Sequence, residues 1–154
     1  MKKELNIVIA GAALWCAGVV AAPFLHGTLL SESLYRMYSV VCHQFDSRSF
    51  HLHGAPLAVC IRCSSIYSVF LMTLILLRIV TPLRDKKIAP LRLLVITAFP
   101  MAVDGILSVS GLYQATDVSR VLTGSLFGIG IALLLHHSLA GSIRSLFFTK
   151  NPIR

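Results

Sequence analysis

Four long apolar runs, Leu5 to Leu25, Leu57 to Val80, Leu93 to Leu112 and Val121 to Ala140, follow one another with only brief polar interruptions. Each holds about 20 residues or a little more, the length a helix needs to cross roughly 30 Å of hydrocarbon at about 1.5 Å per residue. Hydrocarbon offers no water to unpaired backbone groups, so a spanning segment of this kind is helical. The expectation is an all-α integral membrane protein: a single domain covering residues 1–154, built as a bundle of four transmembrane helices in the lipid bilayer. A hydrophobic content of 56% with 13% charged residues leaves too little polar surface for a soluble domain of this size. The first run follows Met1-Lys2-Lys3-Glu4 and has Ala21-Ala22 near its end, so it is either a signal peptide or a span; its length favours the span.

The distribution of Lys and Arg predicts orientation, because basic loops stay on the cytoplasmic side. With the N-terminus inside, Lys2, Lys3, Arg78, Arg84, Lys86, Lys87, Arg92, Arg144, Lys150 and Arg154 are cytoplasmic, and Arg36, Arg48, Arg62 and Arg120 lie outside. Both termini are then cytoplasmic, residues 26–56 form an outer loop, and the chain is a multi-pass protein of the inner (plasma) membrane. The net charge of +8 records this topology; no basic run is interleaved with aromatic residues, so nucleic acid is not expected as a partner. Gly124 and Gly128 form a G-x-x-x-G step, with Gly130 beyond it, which suits close helix approach and leaves a homo-oligomer open.

Chemistry concentrates where the outer loop enters the second run: Cys42-His43-Gln44, Arg48, His51, His53 and Cys60-Ile61-Arg62-Cys63. If the helix begins at Leu57, Cys60 and Cys63 share a face of its first turn, where the helix dipole and Arg62 favour thiolates. Three sulfurs and a nitrogen, from Cys42, Cys60, Cys63 and His43, suit tetrahedral zinc or another transition metal such as iron or copper(I). Adjacent Cys42 and His43 point at one ion only awkwardly, which makes His51 or His53 a replacement for His43. The same thiols also suit redox exchange, with Cys60 and Cys63 as the dithiol, Cys42 as a relay and a quinone-like carrier as electron acceptor. A third reading is inert packing, or a plain disulfide to Cys42. His26 is expected at the interface, and His136-His137 lie near the opposite end of the fourth run.

Asp104 stands beyond the middle of the third run, where a lipid-facing carboxylate is costly, so it should face the bundle interior and a partner. Arg120 is the first counter-charge to consider, with Arg48 and Arg62 as others. Such a carboxylate also admits a small transporter. Pro100 and Tyr67 read as packing features. The chain carries no Ser-His-Asp spacing, no phosphate-binding glycine loop and no paired carboxylates.

Cys42-His43-Gln44, Arg48, Gly54, Val59-Cys60-Ile61-Arg62-Cys63 and Ile66-Tyr67, followed by Pro100, Asp104-Gly105, Arg120, Thr123-Gly124 and Gly128, resemble the prokaryotic membrane-protein family called domain of unknown function 2085. The resemblance covers roughly residues 35–130; the chain departs from it at Ser68, where a glycine is expected, and at Ser108, where a glutamine is. It implies a small multi-spanning membrane protein and attaches no activity. By matching the loop and the third run together, it implies one composite site of Cys42, Cys60, Cys63, Arg62, Asp104 and Arg120.

Overall fold

The computed structural model describes residues 2–80 and 90–148. Five helices, α1 (Lys2–Phe24), α2 (Leu29–Ser39), α3 (Ile61–Ile79), α4 (Pro90–Val109) and α5 (Asp117–Phe148), carry the chain, with a 3-10 turn at Asp46–Arg48 and a two-residue hairpin of β1 (His51–Leu52) and β2 (Ala55–Pro56). Four of the helices, all but α2, are long and apolar enough to cross a membrane. Arg84, Lys86, Lys87, Lys150 and Arg154, on which part of the orientation argument rests, lie outside the described residues.

α5 packs most extensively on α3 and also on α4, while α3 contacts α1 on its other side. Glycines set the α3–α5 approach. A Cβ on Gly124 would lie 2.7 Å from the Arg62 carbonyl oxygen, and one on Gly128 would lie 2.7 Å from that of Ile66. The G-x-x-x-G step is therefore spent within the chain, where only a missing side chain lets the two backbones meet. Gly130 similarly leaves room for the Thr97 side chain of α4. At the far end of the α1–α3 pair, Leu5, Leu74 and Ala132 form a small buried cluster.

The outer loop departs from expectation because it contains a helix. Thr28 caps α2, its side chain accepting from the Ser31 N–H, after Gly27 reverses the chain at φ +85°. Ser31, Tyr35, Tyr38 and Cys42 recur at helical spacing, and Ser31, Tyr38 and Cys42 are buried. The Ser31 hydroxyl donates to the Ala22 carbonyl and the Tyr38 hydroxyl to the Trp15 carbonyl, both at 2.8 Å. The contacts advance seven residues along α2, from 31 to 38, while retreating seven along α1, from 22 to 15, so α2 runs back antiparallel beside the upper half of α1. Gly18 permits this, since a Cβ there would collide with the Tyr38 hydroxyl.

The second apolar run also starts its helix later than predicted, at Ile61 and not at Leu57. Its first residues stay out of the helix, where the loop claims backbone groups of Leu57 and Ala58. The Leu57 N–H donates to the Phe50 carbonyl at 2.7 Å, and the Ala58 carbonyl accepts from Gln44 Nε2 at 2.6 Å. Leu57, Ala58 and Val59 are buried. The last helix begins at Asp117, ahead of the apolar run expected from Val121, after the Thr116 side chain accepts from the Ser119 N–H.

Candidate metal centre

Two separate segments deliver three thiols to one place. Cys42 lies just past the end of α2, its N–H bonded to the Tyr38 carbonyl at 3.0 Å, and joins the buried cluster that includes Val19 and Tyr38. Cys60 is the residue that caps α3, and Cys63 lies in that helix's first turn. The sulfurs of Cys42, Cys60 and Cys63 lie within 4.8 Å of one another, and all three thiols are free. Bonds of about 2.3 Å in a tetrahedral centre put sulfurs about 3.8 Å apart, so this spacing needs only small side-chain adjustment to hold one ion.

Around the thiols the protein is apolar on one side and hydrogen-bonded on the other. Val19, Ala22, Tyr38, Leu57, Ala58 and Val59 form the surrounding core. Trp15 stands edge-on to Tyr38 at 4.8 Å and to Tyr67 at 5.9 Å, making an aromatic wall beside Cys63. The Cys60 N–H donates to Cys42 Sγ at 3.2 Å. Hydrogen bonds from the Cys60 and Cys63 thiols, joined by the backbone N–H groups of Cys60 and Gln44, outweigh burial and hold the Cys42 thiol well below the ordinary thiol range. A thiolate at Cys42 is the form that ligates a metal or attacks a disulfide.

Gln44 holds the loop in register. Its backbone is left-handed, at φ +52°, and Nε2 donates both to the Tyr35 carbonyl at 2.8 Å and to the Ala58 carbonyl at 2.6 Å. The end of α2 is thereby tied to the residues that lead into Cys60. The Tyr35 hydroxyl adds a bond to the Pro56 carbonyl at 2.5 Å. Neither role was read from the sequence, although the stripe Ser31, Tyr35, Tyr38, Cys42 is the signal that would have exposed α2.

The histidines lie elsewhere. His43, expected as the fourth ligand, is exposed, and its ring stacks on Phe45 at 5.9 Å with the planes 7° apart. His51 Nε2 contacts Asp46 Oδ1 at 3.0 Å, and His53 packs against Phe24 at 4.7 Å. The physical reason is alternation: Cys42 turns inward beneath α2, so its neighbour turns out. Arg48 lies over the Phe45 ring at 5.2 Å, on the exposed side of the loop.

Asp104 is buried and takes its ion-pair partner from α3. Arg62 Nη2 donates to Asp104 Oδ2, bridging α3 and α4. The guanidinium passes Gly105, where a Cβ would sit 3.5 Å from Nη1, and its Nε is buried with no partner among the described residues. Arg120, the first counter-charge considered, instead pairs with Asp117 at 2.8 Å, three residues away on its own helix. Of the composite site, then, Asp104 is joined to the cysteine-bearing start of α3 by Arg62, which lies between Cys60 and Cys63, while Arg120 is engaged locally. On the outer face of α1 and α2, a groove of about 480 Å³ runs between Gly11, Leu14 and Gly18 on one side and Leu34, Met37 and Tyr38 on the other.

The sequence matches a family described as predicted membrane protein over residues 42–134, which includes all three clustered cysteines, Arg62 and Asp104. An uncharacterized protein of Methanocaldococcus jannaschii is 32% identical over 143 residues, an alignment covering 88% of this chain and 92% of the relative. An uncharacterized protein of Methanothermobacter thermautotrophicus is 30% identical over 97 residues, covering 63% of this chain and 86% of the relative. No solved structure matches.

Proposed function

The chain belongs to the family of predicted membrane proteins called domain of unknown function 2085, and from that premise we propose that it binds a transition metal, zinc foremost, through Cys42, Cys60 and Cys63. One observation carries the reading: three free sulfurs, one from the loop after α2 and two from the start of α3, lie within 4.8 Å of one another. Three thiolates around a divalent ion suit zinc, and softer donors of this kind also take copper(I). When bound, the ion supplies Lewis acidity. The chain's own residues hold the centre in place: Gln44 sets the loop, the Cys60 N–H steadies the Cys42 sulfur, and Arg62, between Cys60 and Cys63, ties the start of α3 to Asp104. Asp104 on this reading supports the site from the neighbouring helix and is not a separate conduction group.

By the excess of Lys and Arg at the other ends of the spans, the centre faces the outside of an inner (plasma) membrane. Metal analysis of the purified protein tests the reading: about one equivalent per chain is expected in the wild type and a near-zero content in Cys60→Ser/Cys63→Ser. Equal, near-zero contents in both rule it out.

A second reading rests on the thiolate character of Cys42 beside two further thiols. Here two thiols would form a disulfide, and the two electrons and two protons would pass to a quinone, giving the quinol. Thiol trapping in cells separates the readings, since thiols that stay reduced under quinone-replete conditions are incompatible with the redox cycle.

A further inference from the structure

We infer that the metal centre, on the metal-binding reading above, has three protein ligands and keeps its fourth position open to a small exogenous donor such as water or a thiol. A closed structural site takes four protein ligands, whereas sites that carry a reactive position take three. The distinction therefore turns on whether the fold offers a fourth.

Every nearby candidate is committed elsewhere. Among the described residues, the group able to hold an ion comprises Cys42, Cys60 and Cys63 alone. His43 cannot follow Cys42 inward without leaving its stack on Phe45 and reversing the side on which it emerges. That side is set by Gln44, whose left-handed backbone and two hydrogen bonds fix the chain immediately after His43. His51 is held by Asp46, and His53, itself left-handed at φ +51°, packs on Phe24. Asp104, the buried carboxylate of α4, is occupied by Arg62. On the inner side the thiols meet Val19, Leu57, Val59 and the aromatic wall of Trp15 and Tyr67, none of which offers a customary zinc-ligating nitrogen or carboxylate.

Burial of the three cysteines is uneven, which gives the open position a direction. Cys42 is buried, whereas Cys60 and Cys63 remain partly exposed. On this reading a small donor would approach the ion from the partly exposed Cys60 and Cys63 side. The site is thus built to bind a ligand through its metal.

Cobalt(II) substitution reads coordination directly, using the full-length protein in detergent. Wild-type protein loaded with cobalt(II) should show sulfur-to-cobalt charge transfer, and adding 2-mercaptoethanol should raise its intensity by about one third as three sulfurs become four. His43→Ala should leave both spectra unchanged; this residue is exposed, so the variant retains the core. A spectrum that ignores 2-mercaptoethanol but shifts in His43→Ala would establish a closed Cys3His centre, which overturns the open position and leaves the metal reading standing. Absence of charge transfer in the wild type, or charge transfer undiminished in Cys42→Ser, overturns both.

Discussion

Arg62 of α3 donates to the buried carboxylate of Asp104 on α4, and it does so from between the two cysteines that open α3. A single side chain thereby links the thiol cluster to a helix that contributes no thiol. The pair also resolves how Asp104 can lie within an apolar helix, since an ionised carboxylate there needs a partner.

Asp104→Asn should be far more destabilising than the loss of an exposed ion-pair partner. It leaves Arg62, whose side chain is 23% exposed against 8% for Asp104, without its counter-ion. Breaking a buried pair costs about 3–5 kcal/mol, and the partial exposure of Arg62 moves the expectation to the lower end of that range. Asp117→Asn removes the partner of Arg120 at a site where Asp117 is 65% exposed, and should cost no more than about 1 kcal/mol. Thermal unfolding in detergent compares the two; equal losses would contradict the assignment.

Glycine substitutions should divide sharply by position. Gly124→Ala and Gly128→Ala each bring a Cβ to 2.7 Å from an α3 carbonyl oxygen, so α3 and α5 must separate, at a cost of about 1–3 kcal/mol. Gly11→Ala, in α1, meets nothing within 4 Å and should be neutral, or stabilising by up to about 1 kcal/mol through helix propensity. The same unfolding assay checks all three variants.

Gln44→Ala should weaken the metal centre without touching a ligand. It leaves the buried Ala58 carbonyl and the Tyr35 carbonyl without their donor, a loss of about 1–3 kcal/mol, and frees the loop that carries Cys42. Competition with a chromophoric chelator should then show affinity lower by about tenfold or more, with the one-to-one stoichiometry retained, the scale seen when groups supporting metal ligands are removed. Unchanged affinity would show that the loop is held by other contacts.

Among the four cysteines, Cys42→Ser should abolish high-affinity metal binding while Cys16→Ser leaves it intact, because Cys16 lies in α1 outside the cluster. Chelation should likewise lower the unfolding temperature of the wild type and of Cys16→Ser, but not that of Cys42→Ser, since a ligand that binds only the folded state stabilises it. A Cys42→Ser protein that still responds to chelator would place the ion elsewhere.

The spans were legible because a helix in hydrocarbon is specified by an apolar run of the right length, and Leu5 to Leu25 or Val121 to Ala140 carry that signal without reference to any neighbour. Cys42, Cys60 and Cys63 were legible as a group through residue type and through the resemblance at Cys60-Ile61-Arg62-Cys63. α2 was missed because its eleven residues include Ser31, Glu32, Ser33, Arg36 and Ser39, and its helical stripe is hidden inside a polar loop. The choice of counter-charge for Asp104 followed closeness to the end of a helix and so favoured Arg120. Rotation about the helix axes decides such pairings, and periodicity in one run says nothing of how it faces another.

What the sequence determined by itself is the solvent and the material: four segments that only a bilayer accommodates as they stand, and three thiols of a kind that bind soft ions. What the tertiary structure alone decided is which groups meet. Transfer of apolar surface depends on composition and scales with area, so it can be summed along a chain. A ligand set or an ion pair depends on direction and on distances of a few ångströms, and these come into being only when α2 folds back along α1 and turns Cys42 inward and His43 out.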